Sequence, residues 1–305
     1  MIINKTHGLV AAPFTPMKAD GEINVPVIPA YAEKLKKDGL KGAFVCGTTG
    51  EGMLMSTAER KLVAEKWIEE QTESFKIIVH IGSTSSKQSK ELARHAQDSG
   101  AHSTACMGPA FLQPERIEEL VSFCAEAASG SPLLPFYYYH IPPVSGVNLS
   151  MSKFLKQVPS IIPNFVGIKF TDNNLMELQL CLNMDGGKWD ILNGYDQLLL
   201  AGLAFGVKGA VGSTYNFMAP IYNSIIKDFE NGRAEEARKK QFDAVKVIEV
   251  LIKYGGAIVT GKALMSSFGI NCGKCRTPLK NLDETQYQKF IEELKGSGFF
   301  EIINL

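Results

Sequence analysis

Lys169 stands in the run Phe165-Val166-Gly167-Ile168-Lys169-Phe170-Thr171-Asp172, whose other members are mostly apolar or small. Read as a strand, this run places Val166, Ile168 and Phe170 on one face and Gly167, Lys169 and Thr171 on the other. If the first face packs on helices, Lys169 points to the far side of the sheet, where an ammonium loses hydration and the neutral amine is favoured. A neutral amine adds to a carbonyl and forms a Schiff base, so the chemistry open to Lys169 is covalent catalysis on a keto compound. Taken alone, a lysine at a strand end more often snorkels to solvent or pairs with a carboxylate.

The run Phe136-Tyr137-Tyr138-Tyr139-His140-Ile141-Pro142 alternates in the same way, with Tyr137, Tyr139 and Ile141 on one face and Tyr138 and His140 on the other. Tyr139 falls beside Lys169 if the two runs are neighbouring strands. A buried phenol whose hydroxyl is held by a neighbour relays a proton; without Lys169, ring packing alone would explain it.

Gly47-Thr48-Thr49-Gly50-Glu51-Gly52 is a turn whose glycines permit positive φ and whose threonines offer hydroxyls and amides to a carboxylate. It lacks the G-x-x-x-x-G-K-[ST] and G-x-G-x-x-G spacings of nucleotide loops. Asn193-Gly194-Tyr195-Asp196-Gln197 and Gly212-Ser213-Thr214-Tyr215-Asn216 are further polar turns suited to orienting a substrate. Cys272-Gly-Lys-Cys275 has redox or zinc spacing, but no second pair completes a tetrahedral site. The five histidines show no metal-ligand spacing and no G-x-S-x-G elbow is present, so neither a metal nor a serine nucleophile is expected.

These turns need elements to position them. Apolar or β-branched runs recur eight times, at 8–16, 42–49, 76–83, 102–109, 133–142, 165–172, 189–194 and 209–214. Most are followed by a helical pattern, such as residues 57–71, where Ala58, Leu62, Ala64, Trp67 and Ile68 share a stripe. Ser56 with Glu59 and Ser85 with Gln88 have capping-box spacing, and Gly39 and Gly100 stand where helices should stop. Eight strand–helix units predict an α/β chain forming a closed (β/α)8 TIM barrel rather than an open doubly wound sheet. Residues 1–214 supply the barrel core, and residues 215–305 read as the last barrel helix and a C-terminal helical extension.

The chain has 305 residues and is 45% hydrophobic, enough for such a core. Its 32 basic and 32 acidic residues cancel, so no strong field gathers nucleic acid or anionic lipid, and neither is expected as a partner. The N-terminal residues lack a basic segment before a long apolar one, and no signal peptide or membrane span is expected. Six scattered cysteines suit a reducing cytoplasm.

The turn at 47–51, Tyr139-His140-Ile141-Pro142, Gly167-Ile168-Lys169-Phe170-Thr171, Gly194-Tyr195-Asp196 and Gly212-Ser213-Thr214-Tyr215-Asn216, in this order, resemble the N-acetylneuraminate lyase and dihydrodipicolinate synthase family of class I aldolases. The resemblance covers nearly the whole chain, and the joint occurrence of five motifs turns Lys169 toward catalysis. It implies Lys169 as the Schiff-base lysine, Tyr139 as the proton-transfer residue, and Thr48 and Thr49 as the clamp on a substrate carboxylate. It assigns Thr171, Gly194, Asp196, Gln197 and Ser213 to the acetamido and glycerol parts of a sugar chain. At position 197 the lyases usually carry Glu, so Gln197 exchanges an acceptor for an amide.

Within the family, the synthases resemble the loop Pro142-Pro143-Val144-Ser145-Gly146 but place an Arg where Val144 stands. Val144 offers no fork to a second carboxylate, which favours the lyase branch. The implied reaction is cleavage of N-acetylneuraminate (sialic acid) to N-acetylmannosamine and pyruvate, with another pyruvate-dependent aldolase as the alternative. The resemblance also implies a homotetramer and no organic or metal cofactor, with Phe111 near a neighbouring subunit's site. A non-catalytic metabolite-binding barrel is the competing reading from another class. A phosphate-binding isomerase is weaker still, since Lys208 alone is basic among Gly206, Gly209 and Gly212.

Overall fold

The computed structural model describes residues 3–304. Eight parallel strands close into one barrel in chain order: β1 (Gly8–Ala11), β2 (Gly42–Val45), β3 (Lys76–His80), β4 (Ser103–Met107), β5 (Phe136–His140), β6 (Phe165–Phe170), β7 (Asp190–Asn193) and β8 (Gly209–Gly212). Each lies within an expected apolar run. Because helices cover the outside and side chains fill the inside, both faces of every strand are buried, which is why the runs read as apolar.

The helices between them are α1 (Ile28–Lys37), α2 (Thr57–Ile68), α3 (Ser86–Asp98), α4 (Ile117–Ala128), the short α5 (Pro142–Ser145) with α6 (Met151–Gln157), α7 (Leu175–Asn183) and α8 (Leu199–Ala204). Then follow α9 (Tyr215–Glu230), α10 (Ala234–Lys253), α11 (Gly256–Leu264), α12 (Glu284–Gly296) and α13 (Phe299–Ile302). The barrel class and the helical C-terminal part are as the pattern predicts. However, the stretch 270–283 between α11 and α12 is irregular, and it returns to the barrel, where Met17 N donates to Cys272 O at 3.0 Å.

Three local expectations need correction. The buried stripe of α2 is Arg60, Val63, Ala64 and Trp67, while Leu62 is exposed. Arg60 takes a core position because its guanidinium reaches the carbonyls of His80 and Gly82, at 2.7 and 2.8 Å. Secondly, the box at Ser56 and Glu59 is reciprocal, whereas Ser85 and Gln88 make only half of theirs. The Gln88 amide instead donates to Thr57 at 2.5 Å, tying α3 to the start of α2.

The third concerns β6. Its register against β5 slips, with Phe136 opposite Phe165 but Tyr137 opposite Gly167. The extra residue, Val166, joins the cluster filling the barrel interior, while Ile168 and Phe170 face the helices. Beyond the slip, alternation resumes with Lys169 inward. Gly167 is required there, since a Cβ would lie 1.8 Å from the carbonyl oxygen of Asp190 on β7.

Candidate active site

β5 and β6 pair so that Tyr139 is directly opposite Lys169, and both side chains enter the barrel near the C-terminal ends of their strands. Lys169 is 4% exposed. Its Nζ lies 4.0 Å from the centroid of the Tyr139 ring and 4.3 Å from that of Phe44 on β2, so two aromatic faces flank the nitrogen. The Tyr139 hydroxyl is 3.4 Å from Thr48 Oγ1. The phenol thus bridges the lysine strand and the β2–α2 turn.

That turn is rigid, for reasons only partly visible in its sequence. Left-handed backbone falls on Cys46 and Glu51, at φ 58° and 56°, rather than on its glycines. The glycines provide clearance instead: a Cβ on Gly52 would meet Cys46 O at 1.8 Å, and one on Gly50 would meet Pro13 O at 3.0 Å. Glu51 is anchored twice, by Lys262 Nζ at 2.6 Å and by Arg276 N at 2.7 Å. Thr15 Oγ1 donates to Gly50 O at 2.6 Å. Thr48 is therefore held half-exposed at the mouth, with Thr49 buried behind it.

Beneath the turn, His80 Nδ1 lies 3.1 Å from Cys46 O, and its ring contacts those of Phe44 and Tyr139. Burial, with the nearby charges of Arg60 and Lys169, pushes the imidazole down to about 3, so it is neutral at physiological pH. Its Nε2 has no partner among the described residues. A cavity of about 220 Å³ opens above, lined by Thr48, His80, Met107, Val144, Ile258 and Leu279.

The remaining expected residues collect on the β6, β7 and β8 side. Thr171 continues β6, with its amide donating to His140 O at 2.8 Å, and its buried Oγ1 has no partner among the described residues. A Cβ on Gly194 would lie 1.9 Å from that oxygen, so only glycine fits. Asp196 is buried, and its Oδ2 accepts from Thr214 N at 2.8 Å and Thr214 Oγ1 at 2.6 Å. Burial raises its carboxyl above the ordinary range despite these bonds. Asp196 thus ties the β7 and β8 turns together, while Gln197 and Ser213 stand half-exposed at the rim.

His140 faces outward, as expected, and sits 3.5 Å from Asp172; burial outweighs the carboxylate and lowers the imidazole to about 4. The imidazole is accordingly neutral at pH 7, and its contact with Asp172 is not an ion pair. Cys272 and Cys275 are unbonded, with thiols pushed up to about 12 by burial. Among the described residues no cluster of His, Cys, Asp and Glu could hold a metal.

His80, Arg60 and Lys262 have no place among the site residues that the sequence points to, whereas Thr214 lies in the expected turn after β8. A signal for Lys262 was present: it is a lone charge in the apolar run Ala257-Ile258-Val259-Thr260-Gly261-Lys262-Ala263-Leu264.

A closed (β/α)8 barrel carrying a buried lysine on β6 and a phenol in register on β5 is the arrangement of a barrel aldolase. The chain belongs to the dihydrodipicolinate synthetase family, whose model matches residues 5–297. It is 38% identical over 299 residues to N-acetylneuraminate lyase of Mus musculus, covering 97% of this chain and 93% of that one. With the Xenopus tropicalis protein of the same name it shares 41% over 278 residues, 90% of this chain and 91% of that one. The solved Proteus mirabilis N-acetylneuraminate lyase superposes with a TM-score of 0.94 at 41% identity, over 97% of this chain and all of the other.

Proposed function

We propose that the protein cleaves N-acetylneuraminate to N-acetylmannosamine and pyruvate through a Schiff base on Lys169. The observation that carries this is the register of Tyr139 with Lys169, which sets a phenol against the buried amine. The amine adds to the keto carbon of the open-chain sugar acid and water leaves, giving an iminium. The bond between the α-carbon and the hydroxyl-bearing β-carbon then breaks, and its electron pair forms the double bond from the α-carbon to the former iminium carbon, giving an enamine. Tyr139, held by Thr48, relays the proton of the departing hydroxyl as that carbon becomes the aldehyde. Protonation of the enamine carbon and hydrolysis release pyruvate and restore the amine.

Thr48 and Thr49 clamp the carboxylate in this reading, while Thr171, Gly194, Asp196, Gln197 and Ser213 line the way for the sugar chain. The unpartnered Oγ1 of Thr171 supports a polar ligand there, since a buried hydroxyl left without a partner is unfavourable. Val144 beside the mouth offers no charge to a second carboxylate, which supports a lyase over a synthase. The nucleophile is an amine of the chain itself, so the reaction needs no cofactor. Phe111 and Leu112, 85% and 82% exposed in the β4–α4 loop, support a homotetramer that covers them. Six unbonded cysteines fit a cytoplasmic setting.

The test is reduction with borohydride in the presence of pyruvate, followed by peptide mass spectrometry. The expected result is an irreversible adduct on Lys169, followed by cleavage of sialic acid in a coupled assay. An unmodified protein would overturn the Schiff-base mechanism. An adduct without sialic acid cleavage would assign the site to another pyruvate-dependent aldolase reaction.

A further inference from the structure

The opposite end of the barrel carries a feature that the proposed reaction does not use. Lys208, His7, Lys41 and His102 immediately precede β8, β1, β2 and β4, and Lys76 is the first residue of β3. Those five strands are consecutive around the closed sheet. Five basic side chains therefore form one arc at the N-terminal rim, in a chain whose formal net charge is zero.

The arc surrounds a cavity of about 460 Å³, lined by His7, Lys41, Lys76 and His102, with Lys5 and the phenol of Tyr137. A second hollow of about 440 Å³ shares His7 and Lys41 with the first and extends to Lys208. Both volumes lie within the usual range for small-molecule sites. Among the described residues, Lys5, Lys41, Lys76 and Lys208 make no ion pair, in contrast to most lysines of α1 and α2. The first cavity has one lining carboxylate, Glu73, against three lysines. Asp190, buried behind the lining residues Thr6 and Tyr137, is already engaged, its Oδ2 accepting from Tyr137 Oη at 2.8 Å and from Thr6 N at 3.0 Å.

We propose that this N-terminal end is a second ligand site, which binds a small phosphoryl-bearing metabolite. The unpaired cations supply attraction inside a concavity, where it is screened less than on an open surface. Lysine ammoniums are compact point charges on flexible stems, suited to a tetrahedral, multiply charged group. No lining arginine offers the planar fork that favours a carboxylate. Helix C-termini also point to this end of a barrel and attract cations by their dipoles, but that attraction requires neither a cavity nor an unbroken arc over five strands.

The site is tested on the full chain with inorganic pyrophosphate as the probe, by calorimetry at two salt concentrations. One binding event is expected, weakening as salt rises. The variant K41A/K76A should bind at least tenfold more weakly while keeping its circular dichroism and thermal midpoint. A footprint on the unaltered protein decides the matter should that variant fold poorly. Pyrophosphate should protect Lys41 and Lys76 from acetylation but leave Lys289, exposed on α12, reactive. Absence of binding, undiminished binding by a folded K41A/K76A, or equal protection at Lys289 would each overturn the proposal, leaving the lysines as partners of helix dipoles only.

Discussion

The Lys262 ammonium on α11 lies 2.6 Å from Glu51 Oε1, with the two side chains 1% and 0% exposed. This buried pair joins the C-terminal helices to the turn that presents Thr48. Glu51 also accepts from Arg276 N, so the irregular stretch 270–283 is fastened at the same point. The helical extension is thereby part of the site's scaffold.

Removing one partner of a buried pair leaves an uncompensated charge, which costs about 3–5 kcal/mol. Lys262→Met is therefore expected to lower the urea-unfolding free energy by an amount in that range. Lys262→Met with Glu51→Gln should recover part of it, because the amide keeps an acceptor for Arg276 N. Equal losses in the single and double variants would mean that the charge is not what matters.

Tyr139→Phe removes the hydroxyl that meets Thr48 at 3.4 Å but keeps the ring beside Lys169. Loss of a proton-transfer group costs about 10²–10⁴-fold in rate. The expected outcome is a fall in kcat of that size, with borohydride trapping of pyruvate on Lys169 retained. Loss of trapping as well would place Tyr139 in iminium formation rather than in bond cleavage alone.

His80 supplies a pH dependence of stability. Its folded-state value is depressed to about 3 from an ordinary 6.5, first by burial. Between those values the unfolded chain binds the proton and the native protein does not. Stability is thus complete above about pH 6.5 and declines as pH falls toward 3. His80→Gln can retain the bond to Cys46 O without titrating. Urea unfolding between pH 4 and 6 should show a slope shallower than in the unaltered protein by about one proton, or about 1.4 kcal/mol per pH unit. Identical slopes would show that His80 takes up its proton without opening the core.

What the sequence conveyed follows from how strands and turns are built. Strands buried on both faces leave continuous apolar runs, so all eight were visible, and alternation placed Tyr139 and Lys169 on inward faces. The slip that turns Val166 inward has no local signature, because it arises from pairing with β5. The stripe on α2 departs from its pattern for a related reason: Arg60 is buried to serve carbonyls at the end of β3 and just beyond it, which no periodicity within α2 encodes. Glu51 and Lys262 are 211 residues apart, and only the closed barrel with its helical cover brings them together. Residue types and local order were therefore informative, whereas partners fixed by tertiary packing were not.

Gln197 tests the proposed role of the β7–β8 rim in binding the sugar chain. It stands half-exposed at the rim next to Asp196, whose carboxylate Oδ2 is occupied by Thr214. A carboxylate at position 197 would accept hydrogen bonds from a polyhydroxyl tail, where the amide divides its capacity between donor and acceptor. A hydrogen bond to a charged group contributes about 1.5 kcal/mol, close to a factor of ten. Gln197→Glu should therefore raise kcat/KM about tenfold for sialic acid with its full glycerol tail and change it little for an analogue truncated at the tail. Pyruvate trapping on Lys169 should be unaffected, since the change lies on the sugar side. An equal response to both substrates would remove position 197 from tail recognition and leave that role to Ser213 and Thr171.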